Sequence, residues 1–252
     1  LNKEGMHVIG VAAKKKSVGD TTVFHAEDET NMTFLGIIAF LDPPKPDAKE
    51  AIRGLYDAGV HVKVISGDAP VVVEHVCKLV GMKVGDQRAV TGSDLENMSD
   101  AELSSVVEKN DIFARLSPMQ KKRVVDALRN NGHVVGYMGD GVNDAPSLHD
   151  ADVGISVDNA TDVAKASADI ILLEKSLTVI LNGIYEGRRI YGNILKYMKM
   201  ALSSNFGNVF SVLIASIFLP FLPMLPLQIL IQNLIYDFTQ IAIPWDNVDD
   251  EF

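Results

Sequence analysis

The stretch from Met200 to Tyr236 contains no charged residue, and it restricts the fold of this chain more than any other feature. All 23 lysines and arginines lie at or before Lys199. Charged side chains normally cover the surface of a soluble domain, so a long apolar stretch without them is unusual in such a domain. The sequence therefore predicts that the chain divides near residue 199 into a soluble part and a membrane part.

Prolines divide the apolar part into two segments. Pro220, Pro223 and Pro226 interrupt it, which leaves predicted spans at 199–219 and 225–244. Each segment is close to the ~20 residues that a helix needs to cross a bilayer. The alternative is a pair of very apolar helices buried in a soluble protein.

Basic residues lie just before the first predicted span, at Arg188, Arg189, Lys196 and Lys199. Loops and helix ends rich in lysine and arginine usually remain on the cytoplasmic side of a membrane. The soluble part precedes these residues, so it is expected on that same side. The sequence thus predicts a multi-pass membrane protein with a cytoplasmic domain.

Polar residues within the predicted spans are candidates for a function. Asn205 and Asn208 lie three residues apart on one face of the first helix, and Asn233 and Asp237 share a face of the second. An ionisable residue inside a span is costly, which makes Asp237 a functional candidate by default. Alternatively, Asp237 lies near the bilayer interface, where its cost falls.

The soluble part alternates short apolar runs with amphipathic stretches. The predicted strands are 36–41, 61–65, 112–114, 134–138, 153–156 and 169–172, and the predicted helices are 46–58, 70–80, 100–109, 118–131 and 160–167. Such alternation predicts a parallel sheet covered on both faces by helices. Ligands of these sheets lie at the carboxyl ends of the strands, so polar residues that follow the strands are the candidate site.

The stretch Met138-Gly139-Asp140-Gly141-Val142-Asn143-Asp144-Ala145-Pro146 follows the predicted strand 134–138. Glycines 139 and 141 permit a sharp turn, and Asp140, Asn143 and Asp144 place oxygen atoms at that turn. Oxygen ligands of this kind suit Mg²⁺, which also keeps several waters. The alternative is an ordinary surface turn rich in aspartate and glycine.

Three further clusters follow predicted strands. Ser66, Gly67 and Asp68 offer a hydroxyl and backbone amides that can hold a phosphate, although a plain turn has the same composition. Lys121 lies in the first turn of a predicted helix, where it opposes the helix dipole unless it neutralises an anion such as a phosphoryl group. Asp42 ends a strand before a rigid proline pair. A solvated lysine and a structural bend are the alternatives for the last two.

Together these residues resemble the haloacid-dehalogenase-like phosphorylation domain of P-type ATPases. Asp42-Pro43-Pro44, Ser66-Gly67-Asp68, Lys121 and Gly139 to Pro146 occur in the family's order, with Ser66 where the family commonly has threonine. Residues 176–205 resemble the stalk that leads into the fifth membrane helix, 233–237 resembles the ion-site segment of the sixth, and 243–249 looks most like magnesium-transporting members. The resemblance implies an α/β Rossmannoid parallel sheet, a long stalk helix and a transmembrane helical hairpin.

The resemblance also implies roles for single residues and implies ATP and Mg²⁺ as cofactors. Asp140 and Asp144 would bind Mg²⁺, with Asn143 ordering the same site, and Ser66 and Lys121 would hold phosphoryl oxygens. The nucleotide would approach past Asp42, Gly67, Asp68 and Arg115. The transported cation would meet Asn205, Asn208, Asn233 and Asp237. Calcium pumps usually carry glutamate where this chain has Asn208, and a partly hydrated Mg²⁺ needs fewer direct ligands than Ca²⁺ does.

The Asp-Lys-Thr-Gly-Thr loop that carries the family's nucleophile is absent from the sequence. Asp42 is a poor substitute because Pro43 and Pro44 lack backbone N–H donors for a phosphoryl group. We therefore expect a fragment that is inactive alone and requires the missing N-terminal half of the pump. The expected divisions are a nucleotide-binding domain tail (1–34), a partial phosphorylation domain (35–175), a stalk helix (176–198), two transmembrane helices (199–244) and a cytoplasmic acidic tail (245–252).

Two other classes of function stay open at this point. One is a non-catalytic membrane protein that associates with an intact pump, and the other is a soluble haloacid-dehalogenase-like phosphatase. The missing nucleophile and the uncharged stretch both argue against the phosphatase. The net charge of -10 argues against nucleic-acid binding.

Overall fold

The computed structural model of the chain describes residues 6–15, 25, 29–40, 43–82, 88–174 and 176–248. The chain forms two compact units, residues 1–179 and 180–252. One predicted site residue, Asp42, lies outside the described residues.

Strands and helices alternate along the first unit. Its described strands are β1 His7–Ala13, β2 Thr33–Phe40, β3 Val64–Ile65, β4 Val90–Thr91, β5 Ile112–Ala114, β6 Gly136–Met138, β7 Val153–Val157 and β8 Ile170–Leu172. Its described helices are α1 Ala48–Asp57, α2 Pro70–Leu79, α3 Gly92–Glu96, α4 Asp100–Lys109, α5 Pro118–Asn130, α6 Ala145–Asp150 and α7 Asp162–Ala166. A short 3-10 helix, Val142–Asp144, precedes α6.

Parallel pairing dominates from β3 onward, as the sequence predicted. One sheet has the strand order β3-β5-β4 and the other β6-β7-β8, and every pair in both is parallel. The sequence missed β4, α3 and α6, because elements of two, five and six residues carry little apolar periodicity. The α/β class with parallel sheets is confirmed.

The prediction was wrong for the partner of the first predicted strand, 36–41. This segment falls largely within β2, which pairs antiparallel with β1 in a separate two-stranded sheet, with His7 opposite Phe40. Phe34, Leu35 and Ile38 of β2 are exposed. An apolar run indicates a strand, but it carries no information about which strand lies beside it, and the helical alternation begins only at α1.

Helices cover both faces of the sheet β3-β5-β4. Ile112 and Ala114 of β5 pack in a cluster with residues of α1 and α2, whereas Phe113 packs in a second cluster with residues of α3, α4 and α5. Successive side chains of a strand point to opposite faces, which explains this division. The sheet is therefore buried on both sides, as its apolar strands require.

Helix α5 connects the cores of the two parallel sheets. Its Val124 packs in the second cluster, and its Val125 packs in a third cluster with Tyr137, Leu148 and Ala164. Ile65 of β3 contacts both of these clusters, and so does a residue next to β6, Val135. Thus α5 packs against a core that β3 and β6 share.

Local sequence signals set the helix boundaries. Ser99 and Glu102 form a capping box at the start of α4, and Ser117 caps α5 with Pro118 as its first residue. Gly59 has φ of 74°, a left-handed conformation that favours glycine, and it follows the end of α1. These caps place the first turn of α5 immediately after β5.

The second unit is helical in its described residues. Helix α8 spans Leu177–Phe218, and α9 spans Pro226–Gln240 before a 3-10 turn at Ile243–Trp245. The predicted proline-rich turn lies between the two helices. Of the described helices, α8 is long and apolar enough to cross a membrane, with a mean hydropathy of 1.5 over its most apolar window. Helix α9 has 15 residues, fewer than the ~20 of a straight span.

Side-chain contacts join the segment after α9 to α8. Lys196 Nζ lies 3.0 Å from Asp246 Oδ2, and Asn193 Nδ2 donates to the carbonyls of Pro244 and Asp246 at 3.4 Å. The hydrogen bond and charge of Lys196 lower the pKa of Asp246. These contacts make an antiparallel hairpin of α8 and α9.

Candidate functional site

The turn after β6 is built tightly around Gly139. Its N–H donates to the Ile155 carbonyl at 3.1 Å, and its own carbonyl accepts from the buried Ser156 hydroxyl at 2.9 Å. A Cβ atom at position 139 would lie 2.5 Å from Asp144 Cβ and 2.7 Å from its Cγ. Only glycine fits there, because Asp144 folds back against the turn.

Lys121 and Asp144 form an ion pair at this turn. Lys121 Nζ lies 2.7 Å from Asp144 Oδ1, and the two side chains are only 11% and 14% exposed. Asp144 Oδ1 also accepts from the Tyr137 hydroxyl at 2.9 Å, and its Oδ2 accepts from the Gly141 N–H at 3.2 Å. Asp144 thus supplies the anion that the position of Lys121, close to the positive end of α5, requires.

The environment keeps Asp144 ionised and Tyr137 protonated. Burial opposes ionisation of Asp144, but the Lys121 ammonium, the Tyr137 hydroxyl and the Gly141 N–H outweigh it and lower the pKa of the carboxyl. Burial raises the pKa of Tyr137, and the negative charge of Asp144 raises it further. Tyr137 is therefore a donor to Asp144 at physiological pH.

The lowered pKa of Asp144 predicts a dependence of stability on pH. The group stabilises the fold fully above its unfolded-state pKa, about 4, and this contribution is lost as pH falls through the lower folded-state pKa. We expect urea denaturation of the full chain to give a free energy of unfolding that exceeds that of Asp144→Asn at neutral pH. The difference should shrink as pH falls below about 4. The other carboxyls titrate in both proteins, so their effects cancel in the difference between the two free energies of unfolding. A difference that stays constant down to about pH 2 would therefore contradict this assignment.

The turn after β3 forms a second polar group. Ser66 Oγ donates to Asp68 Oδ2 at 2.9 Å and accepts from the Asp68 N–H at 3.0 Å. The Arg115 N–H donates to the Asp68 carbonyl at 2.9 Å, and Arg115 itself has φ of 54°, which is uncommon for a residue other than glycine. Gly92 permits this conformation, because a Cβ there would lie 2.5 Å from the Arg115 carbonyl oxygen.

The structure arranges the predicted residues in two groups at the carboxyl ends of strands. Ser66, Gly67, Asp68 and Arg115 follow β3 and β5, whereas Lys121, Asp140, Asn143 and Asp144 surround the turn after β6. Helix α5 links the groups, since it begins three residues after Arg115 and carries Lys121 in its first turns. Gly67, Asp68, Arg115, Asp140 and Asn143 are exposed.

The turn after β6 offers oxygen donors of the kind that Mg²⁺ prefers. The exposed Asp140 carboxylate makes no hydrogen bond or ion pair with other described residues, while its carbonyl accepts from the Thr161 N–H at 3.0 Å. The described residues contain no cluster of three or more acidic, histidine or cysteine side chains that could hold a metal alone. Mg²⁺ commonly binds through one or two carboxylates together with waters and phosphate oxygens, so this donor set suits it.

In the second unit, the structure pairs one of the predicted cation residues with an amide that was not predicted. Gln232 Nε2 donates to Asn208 Oδ1 at 3.0 Å. Asn208 and Asn233 are half-buried, and Asn205 and Asp237 are exposed. Gln232 therefore joins the candidate set as the partner of Asn208.

Sequence reasoning missed two residues that support the site. Tyr137 contacts Asp144, and Ser156 holds the Gly139 carbonyl. The sequence does indicate Ser156, because it is a polar residue in an otherwise apolar strand. The structure shows that it is fully buried. The sequence does not indicate Tyr137 as a site residue, because an aromatic residue in a strand normally indicates only packing.

The fold and the turn after β6 define a class of protein. A family model described as haloacid dehalogenase-like hydrolase matches residues 7–152, more than half of the chain. The chain belongs to the haloacid dehalogenase-like hydrolase family.

Within that class, the chain is homologous to magnesium-transporting P-type ATPases. It is 55% identical over its full length to "Magnesium-transporting ATPase, P-type 1" of Salmonella typhimurium strain LT2, covering 28% of that protein. The protein of the same name from Escherichia coli strain K12 is 54% identical over 100% of the chain, which again covers 28% of it. "Calcium-transporting ATPase 1" of Bacillus cereus is 36% identical over 94% of the chain, which covers 27% of it. The resemblance to P-type ATPases is confirmed, and the chain spans little more than a quarter of these relatives.

Proposed function

We propose that this chain supplies part of the phosphoryl-transfer site and part of the cation path of a P-type ATPase that couples ATP hydrolysis to Mg²⁺ transport. The buried ion pair between Lys121 and Asp144 carries this proposal. A cation and an anion held at a strand end, beside an exposed carboxylate, suit a site that exchanges one anion for a phosphoryl group. Homology to magnesium-transporting ATPases supports the same reaction.

In this proposal each group of residues has one task. Lys121 and the Ser66 hydroxyl hold oxygens of the γ-phosphoryl group, and Asn143 orders the turn beside them. The adenine nucleotide approaches past Asp42, Gly67, Asp68 and Arg115. Asp140, with Asp144, would hold Mg²⁺, which when bound neutralises charge on the phosphoryl oxygens.

The phosphoryl acceptor is an aspartate of polypeptide outside these 252 residues. The two parallel sheets support this idea, since β3 ends one sheet and β6 ends the other. Ile65 of β3 and Val135, which precedes β6, contact the same two clusters, so the two strands lie over a shared core. A strand that carries the acceptor and pairs with both β3 and β6 would join the sheets and satisfy edge groups that otherwise favour aggregation.

The membrane part of the proposal concerns the hairpin of α8 and α9. Residues 199–219 and 225–244 cross a bacterial-type plasma membrane, with residues 1–198 and the tail 245–252 on the cytoplasmic side. Residues 1–34 close a nucleotide-binding domain, 35–175 form the partial phosphorylation domain, and 176–198 form the stalk. Asn205, Asn208, Asn233 and Asp237 face the cation, and amides in place of carboxylates favour a partly hydrated Mg²⁺ over Ca²⁺.

A complementation experiment tests the proposal. The chain is co-purified in detergent with a polypeptide of the Salmonella relative that carries the Asp-Lys-Thr-Gly-Thr loop, and both are incubated with ATP labelled at the γ-phosphate. We expect no acid-stable phosphoenzyme from either polypeptide alone and a Mg²⁺-dependent phosphoenzyme from the pair.

Three outcomes would contradict parts of this proposal. Phosphate attached to the 252-residue chain itself would place the acceptor within it. A complex that forms without phosphorylation would favour a non-catalytic protein that associates with a pump. Uptake of Ca²⁺ but not Mg²⁺ by vesicles that contain the complemented pump would overturn the assigned cation.

A further inference from the structure

Tyr137 is a core residue with a single polar atom, and that atom reaches the site. Its side chain is 7% exposed and packs with Val125, Leu148 and Ala164. Its hydroxyl donates to Asp144 Oδ1 at 2.9 Å. A buried hydroxyl is costly unless it is bonded, and phenylalanine would fill the same space without that requirement. The hydroxyl therefore serves the contact with Asp144 rather than the packing of the core.

The three donors to Asp144 differ in how far they can move. Lys121 ends a flexible four-carbon side chain. The Tyr137 hydroxyl lies on a ring enclosed by the third cluster, and the Gly141 N–H belongs to the main chain of the turn. Two of the donors are therefore fixed, and the ammonium is the one that can turn toward another anion.

We infer that Tyr137 is a positioning residue whose hydroxyl keeps the Asp144 carboxylate in place when Lys121 turns toward a phosphoryl oxygen. The inference rests on the proposed function, because in that function the phosphoryl group is the anion that attracts Lys121 away from Asp144. Without the hydroxyl, Asp144 would keep a single fixed donor after Lys121 departs. The carboxylate would then rotate away from the Gly141 N–H, and the turn after β6 would open.

A double-mutant cycle tests whether the hydroxyl and the ammonium support Asp144 jointly. The variants are Lys121→Met, Tyr137→Phe and their combination in the full 252-residue chain, at one fixed pH. The measurement is hydrogen exchange of the Gly141 amide, which donates to Asp144 Oδ2. The amide of Ser66, which donates to the Phe113 carbonyl at 2.9 Å, reports whether the rest of the domain stays folded. The control is Tyr56→Phe on α1, in both backgrounds.

We expect Tyr137→Phe to speed Gly141 exchange by less than about threefold while Lys121 is present, and by at least about tenfold in the Lys121→Met background. Tyr56→Phe should leave the rate of Gly141 exchange unchanged both with Lys121 present and in the Lys121→Met background. An equal effect of Tyr137→Phe in both backgrounds would overturn the inference. So would faster exchange at both Gly141 and Ser66, since the hydroxyl would then stabilise the whole domain.

Catalysis provides a separate readout in the complemented complex. Tyr137→Phe is expected to lower kcat about tenfold with KM for ATP unchanged, because the hydroxyl acts after the nucleotide has bound. A rise in KM alone would overturn the positioning role. A further outcome is a complemented complex that forms no phosphoenzyme while Tyr137→Phe still speeds Gly141 exchange more strongly in the Lys121→Met background. That result would support the hydrogen-bond role of the hydroxyl and contradict the assignment of Lys121 to a phosphoryl group.

Discussion

Lys121→Met should abolish the phosphoenzyme in the complemented complex, with a loss of at least about a hundredfold in the rate of phosphoryl transfer. Methionine nearly matches the length of lysine but removes the ammonium that lies 2.7 Å from Asp144 Oδ1. The developing charge on the phosphoryl group would then lose the cation that the proposed function assigns to it. The measurement is the initial rate of label incorporation from ATP at saturating Mg²⁺.

Lys122→Met is the matched control, since it removes the neighbouring charge on the same helix. Lys122 pairs with Asp126 at 2.7 Å and with Asp150, and neither acid belongs to the site. We expect this variant to form phosphoenzyme at a rate within about twofold of the unmodified chain, because these half-buried ion pairs do not include a residue of the site. Equal losses in both variants would show that net charge at the start of α5 matters, and not the contact with Asp144.

Gly139→Ala adds a single methyl group, and at this site we expect it to lower both the stability of the domain and the formation of phosphoenzyme. The added Cβ would lie 2.5 Å from Asp144 Cβ, an atom joined directly to the backbone, so the turn itself must shift. We expect a loss of about 1–3 kcal/mol in the free energy of unfolding and separation of Lys121 from Asp144. Urea denaturation measures the first effect, and phosphoenzyme formation in the complemented complex measures the second.

Gly136→Ala controls for the loss of a glycine, since Gly136 lies on β6, the strand that leads into the turn. The nearest atom to its added Cβ would be the Val153 carbonyl oxygen at 3.9 Å, an ordinary contact. This variant should retain both stability and phosphoenzyme. If Gly139→Ala had the same stability and the same phosphoenzyme formation as Gly136→Ala, the contact of Asp144 with the turn would not be required for either property.

Much of the fold could be predicted because its signals are local. Strand β5 runs over the predicted residues Ile112–Ala114, and α4 runs over the predicted residues Asp100–Lys109 from its cap at Ser99. Apolar periodicity and capping depend on residues a few positions apart, so one sequence suffices to locate them. The predicted turn between α8 and α9 follows from its prolines in the same way.

Strand partners could not be predicted in that way. The apolar run of β2 is equally compatible with a parallel and an antiparallel neighbour. The structure pairs it antiparallel with β1, from Ala13 opposite Thr33 to His7 opposite Phe40. Strand β4 was missed because Val90 and Thr91 are recognisable only by their bonding to β5. Pairing is decided by packing between distant segments, which a local pattern does not contain.

The sequence by itself determined the chemistry that is available: carboxylates and an amide after one strand, a hydroxyl after another, a lysine at a helix start and an uncharged stretch of membrane length. Only the tertiary structure decided which of these groups meet. Lys121 and Asp144 are 23 residues apart, and α5 and β6 bring them to 2.7 Å, with Tyr137 as the third member. The physical reason is that side-chain type is a local property, whereas proximity depends on how helices and strands pack over the shared core.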